Sequence, residues 1–171
     1  MKTGKKWKLM TVLGAGAAVF TADQLLKASI ERQAADTFPR DVPGTGGAAR
    51  YEKCHNKGLL MGAMQEDREM VQLLPAISAA ALGGRLFEML SGKGKTVEAM
   101  GLSIVLGGAM SNLYDRMLRG YVVDYLSIKK GFLKKMVINL GDAAIFAGGI
   151  LAGAAALCRE LPRLANPFRR D

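Results

Sequence analysis

Cysteine, histidine and uncharged runs of full membrane length are all scarce in this chain, and each shortage removes a class of answer. Two cysteines, Cys54 and Cys158, are too few for a disulfide scaffold, and neither belongs to a Cys-x-x-Cys or Cys/His cluster. One histidine and two distant cysteines cannot assemble a zinc site. Aromatic residues are only 6%, no nucleic-acid recognition motif is present, and the net charge of +9 sits at the ends of apolar stretches and in loops. Nucleic acid is therefore not the expected partner. What the sequence does have is apolar content, at 50% and spread along all 171 residues, which excludes extended disorder and fits one domain.

Residues 9–22, 70–84, 99–114 and 143–158 are free of charge. Each is shorter than the roughly 20 residues a bilayer crossing requires. Taken alone, they would suit the buried helices of a soluble Ala/Gly-rich protein. Admitting one ionisable residue to each window, in turn Asp23, Arg85, Glu98 and Asp142, brings them to membrane length. Charges inside spans are costly and mark function or a wet cavity. The sequence thus predicts an all-α membrane protein forming one membrane-embedded domain over 1–171, with four spans at about 9–27, 70–90, 96–117 and 136–159.

Lys2, Lys5, Lys6 and Lys8 before an apolar stretch also resemble the start of a secretory signal peptide. Cleavage after Ala22 would put Phe20 where a small residue is wanted, whereas cleavage after Ala18 is sterically easier. The helical register continuing through Asp23, Gln24 and Lys27 favours a retained first span. Four spans place both termini on one side, and the short flanks put that side in the cytoplasm. Lys129, Lys130, Lys134 and Lys135 fit either a solvated turn or a headgroup surface. At such a surface each attracts anionic lipid by about 1 kcal/mol.

Helix is not expected everywhere. Pro39, Pro43, Gly44, Gly46 and Gly47 punctuate a turn-rich stretch, residues 50–55 read as a short strand, and residues 121–126 are β-branched and aromatic. These pieces fall within 31–69 and 118–135, on the outer side of the bundle. If the spans alternate, Asp23, Lys27, Asn112, Asp115, Arg116, Asp124, Asn139 and Asp142 all gather at one end. Asn139 and Asp142, three residues apart, would share a helix face. Two carboxylates meeting there would share one proton, and the pair could act as general base and general acid on a peptide bond. His55 reads as a loop residue, the glycines at 107, 108, 149 and 153 as close-packing contacts, and the cysteines as unpaired thiols.

In order along the chain stand Asp23-Gln24-x-x-Lys27 and Asn56-x-Gly58-x-x-x-Gly62. Then come Gly107-Gly108-Ala109-x-x-Asn112-x-x-Asp115-Arg116 with Gly120-x-Val122-Val123-Asp124-Tyr125, and last Asn139-x-x-Asp142. This set resembles the bacterial lipoprotein signal peptidases, the signal peptidase II family. The resemblance implies a four-span intramembrane aspartic protease with a small extracytoplasmic β-like cradle. Such a protease cuts prolipoproteins just before a cysteine that already bears a diacylglyceryl group. It further implies catalysis by Asp124 and Asp142, with Asp23, Asn56, Gly108, Asn112, Arg116 and Asn139 lining the site and Lys27 and Asp115 supporting it. Lipid-modified signal peptides and membrane lipids are the implied partners, in the inner membrane of a bacterium and with a monomeric enzyme. The family uses no metal or other cofactor and is blocked by the cyclic peptide globomycin. Met61, Ser111, Tyr125 and Gly141 depart from the family pattern, which leaves open a divergent paralogue acting on another membrane-embedded peptide. A non-catalytic lipopeptide-binding protein and a small proton-linked transporter are the readings from other classes. Polar residues near span ends, rather than at midplane, speak against the transporter.

Overall fold

The computed structural model describes residues 2–59, 62–92, 95–129 and 136–165. Met61, Lys93, Lys130, Lys134 and Lys135 lie outside the described residues. Helix α1 (Lys2–Glu31) is followed by one 3-10 turn (Ala35–Thr37) and by strands β1 (Arg40–Asp41) and β2 (Ala49–Asn56). Helices α2 (Arg68–Ser91) and α3 (Thr96–Leu118) lead to β3 (Val122–Ile128), β4 (Val137–Ile138) and α4 (Leu140–Ala165). The protein is mostly helical, with one small antiparallel sheet in the order β1-β2-β3-β4.

Among the described residues, three stretches are long and apolar enough to cross a membrane, Gly4–Glu31, Arg68–Ser91 and Leu140–Leu161. Only 17% of the apolar window of each is buried, so most of their apolar surface faces outward, as a lipid-facing helix requires. Helix α3 carries Glu98, Asn112, Asp115 and Arg116, all buried, and is not among the three. It is instead the hub, packed against α1, α2 and α4.

Glycine makes that packing close. A Cβ at Gly107 would stand 2.3 Å from the Gly16 carbonyl oxygen of α1, and one at Gly108 would stand 2.3 Å from that of Gly141 in α4. Small residues let helix backbones approach in this way. Gly108 therefore serves the α3–α4 crossing. Gly149 and Gly153 meet nothing within 4 Å where a side chain would go among the described residues, so the expected close packing is not seen there.

Helix starts follow local chemistry. The Asp67 carboxylate accepts from the Met70 amide 3.0 Å away and caps α2. Pro75 lies inside α2, where its missing N–H costs one helix bond. The predicted fourth span begins later than residue 136. Val137 and Ile138 pair with Ser127 and Leu126 of β3, and helix begins only at Leu140. Asn139 is the cap of α4: its side-chain oxygen accepts from the Asp142 amide at 2.8 Å, and the Asp142 carboxylate accepts from the Asn139 amide at 3.1 Å. This reciprocal capping box replaces the shared helix face expected from spacing.

The sheet closes one end of the bundle. Strand β2 covers the predicted strand and extends it, and a bulge between Tyr51 and Cys54 shifts its register so that Cys54 faces Asp124 and Asn56 faces Val122. His55 lies in β2, not in a loop: it stacks on Tyr121 at 4.1 Å and its Nε2 is 2.6 Å from the Glu31 carboxylate. Beneath the sheet, Ile30, Val123 and Tyr125 form a core joined by Phe38, Tyr51 and Leu140. A second core of Val12, Leu86, Met89 and Ala99 holds the other end of the helices together. Cys54 and Cys158 are both free. Strand β1 is one edge of the sheet, β4 the other, and Arg40 and Asp41 are both exposed. Lys129 pairs with Asp41 at 3.6 Å.

Candidate active site

The C-terminal ends of α1 and α3, the start of α4 and the middle of β3 meet under the sheet, and two layers of polar side chains fill the junction. The deeper layer is ionic. The Lys27 ammonium, fully buried, lies 2.8 Å from the Asp23 carboxylate and 3.1 Å from that of Asp115, both also fully buried. Asp115 is bonded in addition by Arg119, by the Gln24 side-chain amide at 3.1 Å and by the Val123 backbone amide at 3.2 Å. Asp115 thus has no ion pair with Arg116; its cations are Lys27 and Arg119. Two positive and two negative charges balance, which is the condition under which buried charges are tolerated.

The upper layer is built from amides and two more carboxylates. Lys27 donates to the Asn112 side-chain oxygen at 2.8 Å. An ammonium only donates, so it fixes which end of that amide faces it. The Asn112 nitrogen is thereby turned to Asp142, to which it donates at 2.8 Å. The Asn139 side-chain nitrogen donates to Asp124 at 2.7 Å and to the Asn112 oxygen at 3.1 Å. Asn56 donates to the other Asp124 oxygen at 3.1 Å. Asp124 and Asp142 are thus linked through Asn139 and Asn112, and neither is paired with a cation at hydrogen-bond distance among the described residues. Burial, and next the negative charge of Asp142, push the Asp124 carboxyl up to about 6; the bonds from Asn56 and Asn139 and the charge of Lys27 pull the other way.

Comparison with known proteins gives this constellation a family. The family model described as signal peptidase (SPase) II matches residues 15–158. A lipoprotein signal peptidase of Pseudomonas aeruginosa (strain UCBPP-PA14) is 31% identical over 148 residues, covering 85% of this chain and 83% of its own. The chain belongs to the signal peptidase II family. A lipoprotein signal peptidase of Sulfurihydrogenibium sp. (strain YO3AOP1) is 28% identical over 146 residues, covering 82% and 87%. A solved structure of a bacterial membrane enzyme superposes with a TM-score of 0.73 at 20% identity, over 94% of this chain and 93% of that one. That likeness shows the fold.

Within this signal peptidase II chain, Arg116 stands beside the two carboxylates. It donates to the Gly58 carbonyl at 3.0 Å and to the Asn112 carbonyl at 3.4 Å. Its Nε is buried and without a partner among the described residues. Of the residues singled out in sequence, Asp23, Lys27, Asn56, Asn112, Asp115, Arg116, Asp124, Asn139 and Asp142 all come together here.

Sequence reasoning named three further contributors without giving them a place in the site. Gln24 donates to the Ser111 hydroxyl at 2.9 Å as well as to Asp115. The Ser111 hydroxyl donates to Asp23 at 2.6 Å. The Tyr125 hydroxyl donates to Asp23 at 3.4 Å and accepts from the Leu140 amide at 2.9 Å, tying the sheet to the start of α4. Gln24 and Tyr125 stand within the quoted motifs and Ser111 directly precedes Asn112, which was the available signal. No group of three His, Cys, Asp or Glu side chains is placed to hold a metal ion among the described residues.

Proposed function

We infer that this protein is an aspartic endopeptidase that removes the signal peptide of diacylglyceryl-modified prolipoproteins by cutting just before the lipidated cysteine. Membership of the signal peptidase II family supports the reaction. The observation that carries the chemistry is the Asp124–Asn139–Asn112–Asp142 chain of hydrogen bonds, which holds two carboxylates in one site without neutralising either.

A pair of this kind holds one proton between them. We place the charge on Asp142, which accepts from the Asn139 amide in the first turn of α4, the end of a helix that favours negative charge. The proton sits on Asp124. Asp142 takes a proton from water as the water oxygen attacks the scissile carbonyl carbon, and Asp124 gives its proton to the carbonyl oxygen. When the tetrahedral intermediate collapses, Asp142 returns its proton to the departing nitrogen and Asp124 recovers one from the hydroxyl. Arg116 Nε receives a carbonyl oxygen of the bound peptide, while Asn56, Asn112 and Asn139 hold the carboxylates in aim.

Around that site the reading is of one membrane-embedded domain over 1–171. Helix α3 is the fourth crossing, with its polar residues turned to the site and to its helical neighbours. The sheet is the extracytoplasmic cradle, and both termini lie in the cytoplasm of a bacterium's inner membrane. The enzyme acts as a monomer among membrane lipids. The test is a gel-shift cleavage assay in detergent, with a prolipoprotein offered with and without its diacylglyceryl group, beside Asp142→Asn. Cleavage of the lipidated form alone, lost in the variant, is the expected result. A folded wild-type protein that binds the lipopeptide and cuts neither form would overturn the enzymatic reading.

A further inference from the structure

Ser111 on α3 and Gly141 on α4 converge on a single atom. The Asp23 Oδ2 oxygen accepts from the Ser111 hydroxyl at 2.6 Å and from Lys27 at 2.8 Å. A Cβ placed at residue 141 would stand 2.9 Å from that same oxygen, 3.0 Å from the Asn139 side-chain oxygen and 3.1 Å from the Gly108 carbonyl oxygen. Those distances are below ordinary contact, so a neighbour has to give. Gly108 is backbone at a helix crossing and cannot. Asp23 is fully buried and held by Ser111, Lys27 and Tyr125, so it gives only if one of those bonds is released.

We propose that Ser111 is a positioning residue for the carboxylate pair, coupled to Gly141: its hydroxyl pins Asp23 in the place that only glycine at 141 leaves free, and the pinned carboxylate sets the aim of Asp142 through Lys27 and Asn112. This rests on the aspartic peptidase reading above. The path is continuous. Asp23 fixes the Lys27 ammonium, Lys27 fixes the Asn112 amide, and Asn112 donates to Asp142. Ser111 reaches the ammonium directly as well, at 3.4 Å, and receives Gln24 at 2.9 Å. Residue 141 lies between Asn139 and Asp142, so any displacement of its neighbours is felt at both ends of the α4 capping box.

The test is a double-variant cycle with Ser111→Gly and Gly141→Ala, assayed in detergent on a lipidated prolipoprotein. Gly141→Ala is expected to lose tenfold or more in kcat with KM within twofold of wild type. Ser111→Gly is expected to lose a few-fold. The double variant should cleave faster than Gly141→Ala alone, because releasing Asp23 from the serine lets it move off the new methyl group. A double variant whose loss is the product of the two single losses overturns the coupling, as does a Gly141→Ala enzyme with wild-type kcat. Should Gly141→Ala not fold, Ser111→Ala decides. A lowered kcat at unchanged KM, with a displaced acid limb of the pH–rate profile, is expected; a lower melting temperature with an unmoved limb overturns the positioning role. Wild-type protein that cuts nothing would instead sink the peptidase reading, so the two failures are distinct.

Discussion

Four aspartates stand within the same few turns of this molecule, and they are treated in two opposite ways. Asp23 and Asp115 are fully buried and share a lysine, with Arg119 completing the balance. Asp124 and Asp142 are held by asparagine side chains and, at Asp142, one backbone amide, donors that orient a carboxylate without cancelling its charge. The lesson is that burial alone does not mark a reactive carboxylate. A counter-ion commits one to structure, whereas neutral donors leave it able to exchange a proton.

The sharpest way to break that contrast is to neutralise the second pair. Asp142→Asn or Asp124→Asn should each reduce cleavage by at least about a thousandfold, within the range expected for loss of a positioned acid or base, while binding of the lipopeptide persists. Residual cleavage near wild type in either variant removes the assignment. The same substitution carries a stability signature. Because the Asp124 carboxyl is raised from 3.8 to about 6 on folding, ionising it disfavours the folded state; the penalty is absent below about pH 4 and complete above about pH 6. Asp124→Asn should therefore gain up to about 3 kcal/mol at about pH 8 and little at about pH 3, read as melting temperature in detergent.

Attacking the first pair should do the reverse. Lys27→Met leaves buried Asp23 without a cation and Asp115 with Arg119 alone, and should cost about 3–5 kcal/mol of stability, with cleavage falling because Asn112 loses its anchor. If Lys27→Met melts at the wild-type temperature, the distinction between the two pairs fails. Arg116→Ala should impair cleavage by about ten- to a hundredfold without abolishing it, since binding and both carboxylates remain. The smallest effect is the most diagnostic. Asn56→Ala removes a bond that lowers the Asp124 pKa, so the alkaline limb of kcat/KM should move to higher pH; a limb that stays put denies Asn56 its role.

Much of this was legible in the residues. Asp23 and Lys27 were legible as polar residues at the end of the first span, though not as an ion pair, and the β-branched run after residue 121 gave β3 with Asp124 in it. Hydropathy found the three apolar helices within a few residues of their ends. Two things were hidden for physical reasons. The start of α4 was misplaced because Val137 and Ile138 suit a buried helix as well as a short strand, and only pairing with β3 chooses. The partners of Asp115 were hidden because Lys27 arrives from another helix and the adjacent Arg116 turns instead to the Gly58 carbonyl. The role of Ser111 was likewise hidden, because its partners Asp23, Gln24 and Lys27 all come from α1.

The outer rim of the sheet bears on how the protein behaves once taken from its bilayer. Strand β1 is two residues long, exposes Arg40 and Asp41, and is flanked by Pro39 and Pro43, which have no backbone N–H to offer. A stray extended chain finds almost no free ladder there. Self-association in dilute detergent should then proceed through the bare flanks of the helices, and a better-matched surfactant, rather than a denaturant, is what reverses it.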